Sequence, residues 1–98
     1  MMLARVIGTV VSTKKDPSLE GLRFMFCKPV NPEGAPSGAP VVAVDTVGAG
    51  VGEMVLFATG SSARQTVQTN NRPCDAVIMA IVDTWEVDGD TRYRKSED

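Results

Sequence analysis

Residues Val41–Gln65 read VVAVDTVGAGVGEMVLFATGSSARQ, and the order of apolar runs and glycines in this stretch decides the fold. The first run is apolar except for one carboxylate, Asp45. A turn with three glycines follows, Gly48, Gly50 and Gly52. A second apolar run, Glu53 to Thr59, ends at Gly60, and Ser61-Ser62-Ala63-Arg64-Gln65 comes next. The stretch predicts strand, glycine turn, strand and a capped helical turn. Ser62 and Gln65 have the spacing of a capping box, so a short helix is expected to start there and fade before Asn70-Asn71-Arg72-Pro73. A glycine-rich turn can cradle phosphate when a helix N-terminus follows it. Here a strand follows, no Lys-Ser or Lys-Thr pair does, and the spacing matches neither nucleotide fingerprint. Gly48, Gly50 and Gly52 therefore read as a structural turn, supplying positive φ or close backbone approach.

Working outward, β-branched and apolar residues mark further strands at Leu3–Ser12, Leu22–Lys28 and Asp75–Thr84. Lys14, Lys15, Asp16, Pro17 and Gly21 mark a polar loop, and Asn31–Pro40 (NPEGAPSGAP) a surface loop. Asp88-Gly89-Asp90 reads as the turn of a C-terminal β-hairpin between Trp85-Glu86-Val87 and Thr91-Arg92-Tyr93. The whole predicts a mainly β protein, a small five-stranded OB-like β-barrel with one short helix. The last barrel strand barely alternates. Val77, Met79 and Ile81 would share one face, and Ala76, Ile78, Ala80 and Val82 the other. Both faces need cover. The barrel interior covers one; a loop, a helix or a second subunit could cover the other, and at this length a second subunit is the expected cover, so the pattern asks for oligomerisation and leaves the ring number open.

Composition narrows the function. The 98 residues suit a single domain, 1–98, with a modest core. Hydrophobic residues make up 43% of the chain, which argues against disorder. The net charge of −2 lacks the basic footprint of a general nucleic-acid binder. There is no histidine, which removes the commonest general base and metal ligand. Cys27 and Cys74 are too few for a disulfide framework or a closed zinc site and read as reduced thiols. The N-terminal MMLARVIGTVV has no sustained apolar core, and no run approaches the ~20 residues of a membrane span. A cytoplasmic protein is expected, with no membrane partner.

Three groups of residues could carry chemistry. Asp45 and Asp83 lie within or at the end of apolar strands. Paired carboxylates can serve as acid and base, but the favoured reading is structural, with loop N–H groups or Arg5, Arg64 or Arg72 satisfying each. Ser61, Ser62 and Arg64 lack a histidine base, so capping and an interface contact are expected of them. Trp85, Tyr93, Arg92 and Arg94 could form a stacking surface for single strands. Aromatics are 5% of the chain, and Glu86, Asp88 and Asp90 lie among these groups, so hairpin packing is the better reading. No catalytic, metal-ligating or cofactor-binding set is assigned. The alternative to a structural role is an OB-like binding module for nucleic acid or a small ligand. A small hydrolase or lyase using Asp45 and Asp83 ranks third.

Four blocks in order then carry a resemblance: LARVIGTVVSTKK at Leu3–Lys15, VDTVGAGVGEMVL at Val44–Leu56, GSSARQ at Gly60–Gln65 and PCDAVIMAIVDT at Pro73–Thr84. With these the chain resembles the EutN/CcmL family of bacterial microcompartment vertex proteins. The resemblance implies an OB-type barrel that assembles into homopentamers. Each pentamer would cap a five-fold vertex of a polyhedral shell, beside hexameric shell proteins. It also implies that Gly60, Ser61, Ser62 and Arg64 lie near the subunit interface and the five-fold axis, with Ser61 and Ser62 lining a narrow opening.

Overall fold

Alternation builds the first strand. In β1, Met2–Val10, Ala4 and Val6 point inward and are fully buried. The structure is a computed structural model that describes residues 1–97. The following strands are β2 (Phe24–Pro29), β3 (Val41–Asp45), β4 (Met54–Thr59) and β5 (Ala76–Ile81). They close a barrel in the order β1-β2-β3-β5-β4, with β4 returning to β1. Closure leaves no bare strand edge in the sheet. The neighbouring pairs are antiparallel except β3 and β5, which run parallel. The strands on either side of the glycine turn are not partners, because β5 lies between them.

Small and large residues share the barrel interior. Ala4, Ala43 and Ala76 leave room for Met25, Phe57 and Ile78. Such alternation lets a narrow barrel fill without voids. Burying Phe57 alone stabilises the fold by roughly 1.5–3 kcal/mol.

Some boundaries differ from expectation. β1 stops at Val10. β2 begins at Phe24, because the Leu22 N–H is taken by Leu19 O in the preceding turn. β5 ends at Ile81 rather than Thr84. Val82 N still donates to Met54 O, and Asp83 O then accepts from Lys95 N, which turns the chain into the hairpin.

The expected helix from Ser62 is not formed as such. Residues Gly60–Arg64 make one 3₁₀ turn whose cap position is Thr59, and no side chain caps it. Gln65 closes the C-terminal end, its N–H bonding Ser62 O. The capping-box spacing has no capping role here, because Ser62 lies inside the turn and Gln65 at its C-terminal end.

The face assignment of β5 also changes. A bulge opposite Leu56 and Phe57 inserts one extra residue, Met79, between Ile78 and Ala80. An extra residue shifts strand parity. Ile78 and Ile81 therefore both pack against the interior cluster, although they are three positions apart. Val77 joins a second buried cluster with Val44, Ala58, Ala63 and Cys74, flanked by Leu22, Phe24 and Met79. The chain itself supplies this cover, through the 3₁₀ turn and residues 66–75. The second subunit that the sequence assigned to that face is not needed there.

The terminal hairpin is present as β6 (Thr84–Val87) and β7 (Asp90–Arg94). Its two turn residues, Asp88 and Gly89, have φ of 52° and 81°, as a two-residue hairpin turn requires. The molecule measures 46 × 23 × 22 Å.

Candidate assembly site

The glycine turn is fastened from inside. Asp45 Oδ1 accepts from the N–H groups of Val47 and Gly48 at 3.0 and 3.1 Å. Its Oδ2 accepts from Ala49 N at 3.0 Å and from the Arg23 guanidinium at 2.7 Å. The carboxylate is 2% exposed, and these four donors occupy it. Gly50 N donates to Glu53 Oε1 at 2.7 Å. The amides of Val47, Gly48, Ala49 and Gly50 are thus bonded to carboxylates of the chain and not left facing an anion. Gly48 and Gly52 have φ of +77° and +93°, so the turn needs residues without a β-carbon at both places. Two further bonds tie the turn to β1: Gly52 N to Val6 O at 2.8 Å, and Arg5 Nη1 to Gly52 O at 2.7 Å.

Arg23 as the partner of Asp45 escaped the sequence reading, which named Arg5, Arg64 and Arg72. Arg72 instead donates to Ser18 O and Glu20 O at 3.2 and 2.6 Å, holding residues 66–75 against the loop before β2. Arg64 reaches Cys74 O at 3.5 Å. Asp83 is exposed and lines a surface hollow of about 460 Å³ with Thr84, Arg94, Lys95 and Ser96. Asp45 is sealed under the turn. The two carboxylates do not share a site within one chain, and the acid–base pairing finds no geometry here.

Ser61 and Ser62 are exposed on the 3₁₀ turn, while Ala63 between them and Arg64 is fully buried. Ala63 anchors the turn, and Cys74 Sγ lies 3.9 Å from Ala63 O. Beyond it, Thr66 and Thr69 bond each other. Their hydroxyls are 2.6 Å apart, and the Thr69 N–H donates to Thr66 Oγ1 at 3.0 Å. Thr69 is fully buried. This threonine pair makes the segment a built loop instead of the helix tail expected.

The hairpin is fastened to the long loop. Trp85 and Tyr93 stack with ring centroids 4.9 Å apart. Trp85 Nε1–H donates to Pro32 O at 2.7 Å, and Arg92 pairs with Glu33 at 2.7 Å. Arg5 lies over the Tyr93 ring at 5.9 Å. These contacts spend the Tyr93 ring and the Trp85 N–H on the chain itself, as packing of the hairpin requires. Lys95 Nζ meets Glu53 Oε2 at 2.7 Å. The lysine bond, with the Gly50 amide, holds the Glu53 carboxyl below its usual range, and the same bond raises Lys95. Burial, with the nearby Asp45 charge, pushes the Cys27 thiol up to about 11. Among the described residues, no group of three or more His, Cys, Asp or Glu could hold a metal.

The family model described as ethanolamine utilisation protein EutN/carboxysome matches residues 1–83. The chain belongs to the EutN/CcmL family. The carboxysome shell vertex protein CcmL of Gloeobacter violaceus is 44% identical over 97 residues, covering 99% of this chain and 97% of that protein. The microcompartment shell vertex protein PduN of Salmonella typhimurium is 48% identical over 88 residues, covering 86% and 97%. The structure of Gloeobacter violaceus CcmL matches with a TM-score of 0.93 at 45% identity, covering 98% of this chain and 99% of that one. The pentameric shell protein GrpN of Rhodospirillum rubrum matches at 0.81 and 46% identity, covering 89% and 99%. Like these EutN/CcmL relatives, the chain is a structural shell vertex protein and not an enzyme. The family model ends at Asp83, so the hairpin lies outside it, whereas the CcmL match includes it.

Proposed function

We propose that this chain forms a homopentamer that caps the five-fold vertices of a bacterial microcompartment shell in the cytoplasm. The match to pentameric GrpN over 89% of this chain is the observation that carries this reading. The physical role is geometric. Flat hexameric tiles make a sheet, and a five-fold unit supplies the curvature that closes it. A head-to-tail contact that closes on itself gives the required cyclic symmetry. Carboxysome and PduN-type relatives stand at 44% and 48% identity, so the vertex role is what they share.

Within the ring, the Gly60–Arg64 turn is assigned to the five-fold opening, with Ser61 and Ser62 lining it. Their exposure on a turn anchored by buried Ala63 supports this placement. Hexameric facet proteins are the neighbours of the ring.

Co-expression tests the role. Hexameric shell proteins produced with this chain should give closed polyhedra by electron microscopy, and without it open sheets or tubes. Identical particles in both preparations would contradict the vertex assignment.

A further inference from the structure

The outer face of the barrel runs out of cover one row short. Across β1, β2 and β3, the row Val10–Phe24–Val44 adjoins the second buried cluster, in which Val44 is 2% exposed. The next row, Gly8–Phe26–Val42, leaves Phe26 40% and Val42 42% exposed. Ile7, at the bulge beside Gly8, is 49% exposed. At Val42 the row opens into a groove of about 410 Å³ that reaches Gly60 and Asp75. The other exposed valines, Val11, Val47, Val51 and Val67, lie outside the strands.

Gly8 adds a second observation. A β-carbon built there meets nothing nearer than Phe26 Cβ at 3.9 Å, an ordinary contact, and the residue has no positive φ. Nothing in the chain's own packing requires a glycine. A glycine inside a strand weakens it and often marks close approach of another backbone.

We infer that the Ile7–Gly8–Phe26–Val42 row is the face on which the neighbouring copy of this chain sits in the ring. The inference rests on the pentamer proposed above and names the surface that makes it. A second copy fits better than another partner because the groove runs from this row to Gly60, the start of the turn assigned to the five-fold opening. The row and the axis turn are then one continuous contact. Permanent subunit interfaces are apolar at their centre, as this row is.

Thiol alkylation of purified Val42→Cys protein tests it, with Val11→Cys as the exposed control. The native thiols, Cys27 and Cys74, are buried. Exposures of 42% and 85% alone would separate the two positions about twofold. In a five-copy species, Val42→Cys should label slower than Val11→Cys by roughly tenfold or more, as for a group reached only through rare opening. Dissociation of Val42→Cys into monomers with unchanged circular dichroism would support the inference equally. A five-copy species in which both thiols label within twofold of each other would overturn it, leaving the row free for a facet tile and the pentamer intact. A monomeric parent protein would overturn the pentamer itself and this inference with it.

Discussion

Replacing Asp45 probes the joint between the barrel and its glycine turn. Three backbone amides and Arg23 converge on this carboxylate, which is 2% exposed. The four contacts are not equal. Arg23 is half exposed, so its pairing is screened and contributes about 0–1 kcal/mol. Val47 and Gly48 are exposed, and water can replace the lost acceptor for their amides. Ala49 is fully buried, so its N–H would be left without a partner at a cost of about 1–3 kcal/mol. Asp45→Ala should therefore destabilise by about 1–4 kcal/mol, and at roughly 4–8 °C per kcal/mol the melting temperature should fall by about 4–30 °C. Asp45→Asn is the sharper test. Its amide keeps one oxygen but turns an NH₂ toward two of the four donors, whichever way it is flipped. It should lose most of what alanine loses. The assay is thermal unfolding followed by circular dichroism at one fixed protein concentration, because association shifts the midpoint. An Asp45→Ala melting temperature within about 3 °C of the parent would refute this reasoning. Full recovery in Asp45→Asn would show that the carboxylate's second oxygen does nothing.

Other consequences are simpler to measure. Gly52→Ala has open space for its β-carbon but must adopt φ of +93°, so it should cost about 1 kcal/mol by urea denaturation, against nearly nothing for Gly8→Ala in a dissociated monomer. The Glu53–Lys95 bond gives the hairpin attachment two pH limits. The lowered Glu53 pKa adds stability that is present above its ordinary 4.5 and is lost as pH falls through the folded value. The raised Lys95 pKa adds stability that is present below 10.5 and is lost as pH rises through its folded value. Glu53→Gln should flatten both limbs of the melting-temperature profile. Ser61→Cys should label readily, with a bulky reagent slowed in the assembled protein. A thiol that stays protected in folded monomers would remove Ser61 from the opening.

Strands were legible because each is set by local chemistry. β-Branched runs, Gly48 to Gly52 and the Asp88-Gly89 turn all announce themselves within a few residues. What the sequence hid is non-local or miscounted by one. β5 separates β3 from β4, and no local signal says so. Arg23 meets Asp45 across a strand pairing, and Trp85 reaches Pro32 across 53 positions. The bulge at Met79 reverses strand parity after Ile78, which a regular period of two cannot foresee. Ser62 and Gln65 have capping-box spacing, but Thr66, Thr69 and Arg72 fix the following segment by side-chain bonds no propensity scale carries. The apolar row at Phe26 and Val42 was visible as strand sequence. Its exposure is set by a distant segment, because the 3₁₀ turn covers the adjacent row at Phe24 and Val44 instead.

Native mass spectrometry of the purified chain, at several concentrations, tests the pentamer most directly. Five copies of the 10.4 kDa chain give 5 × 10.4 = 52 kDa, and a stable species of that mass is the predicted result. A persistent 10.4 kDa monomer across the concentration range, still folded by circular dichroism, would contradict the vertex ring.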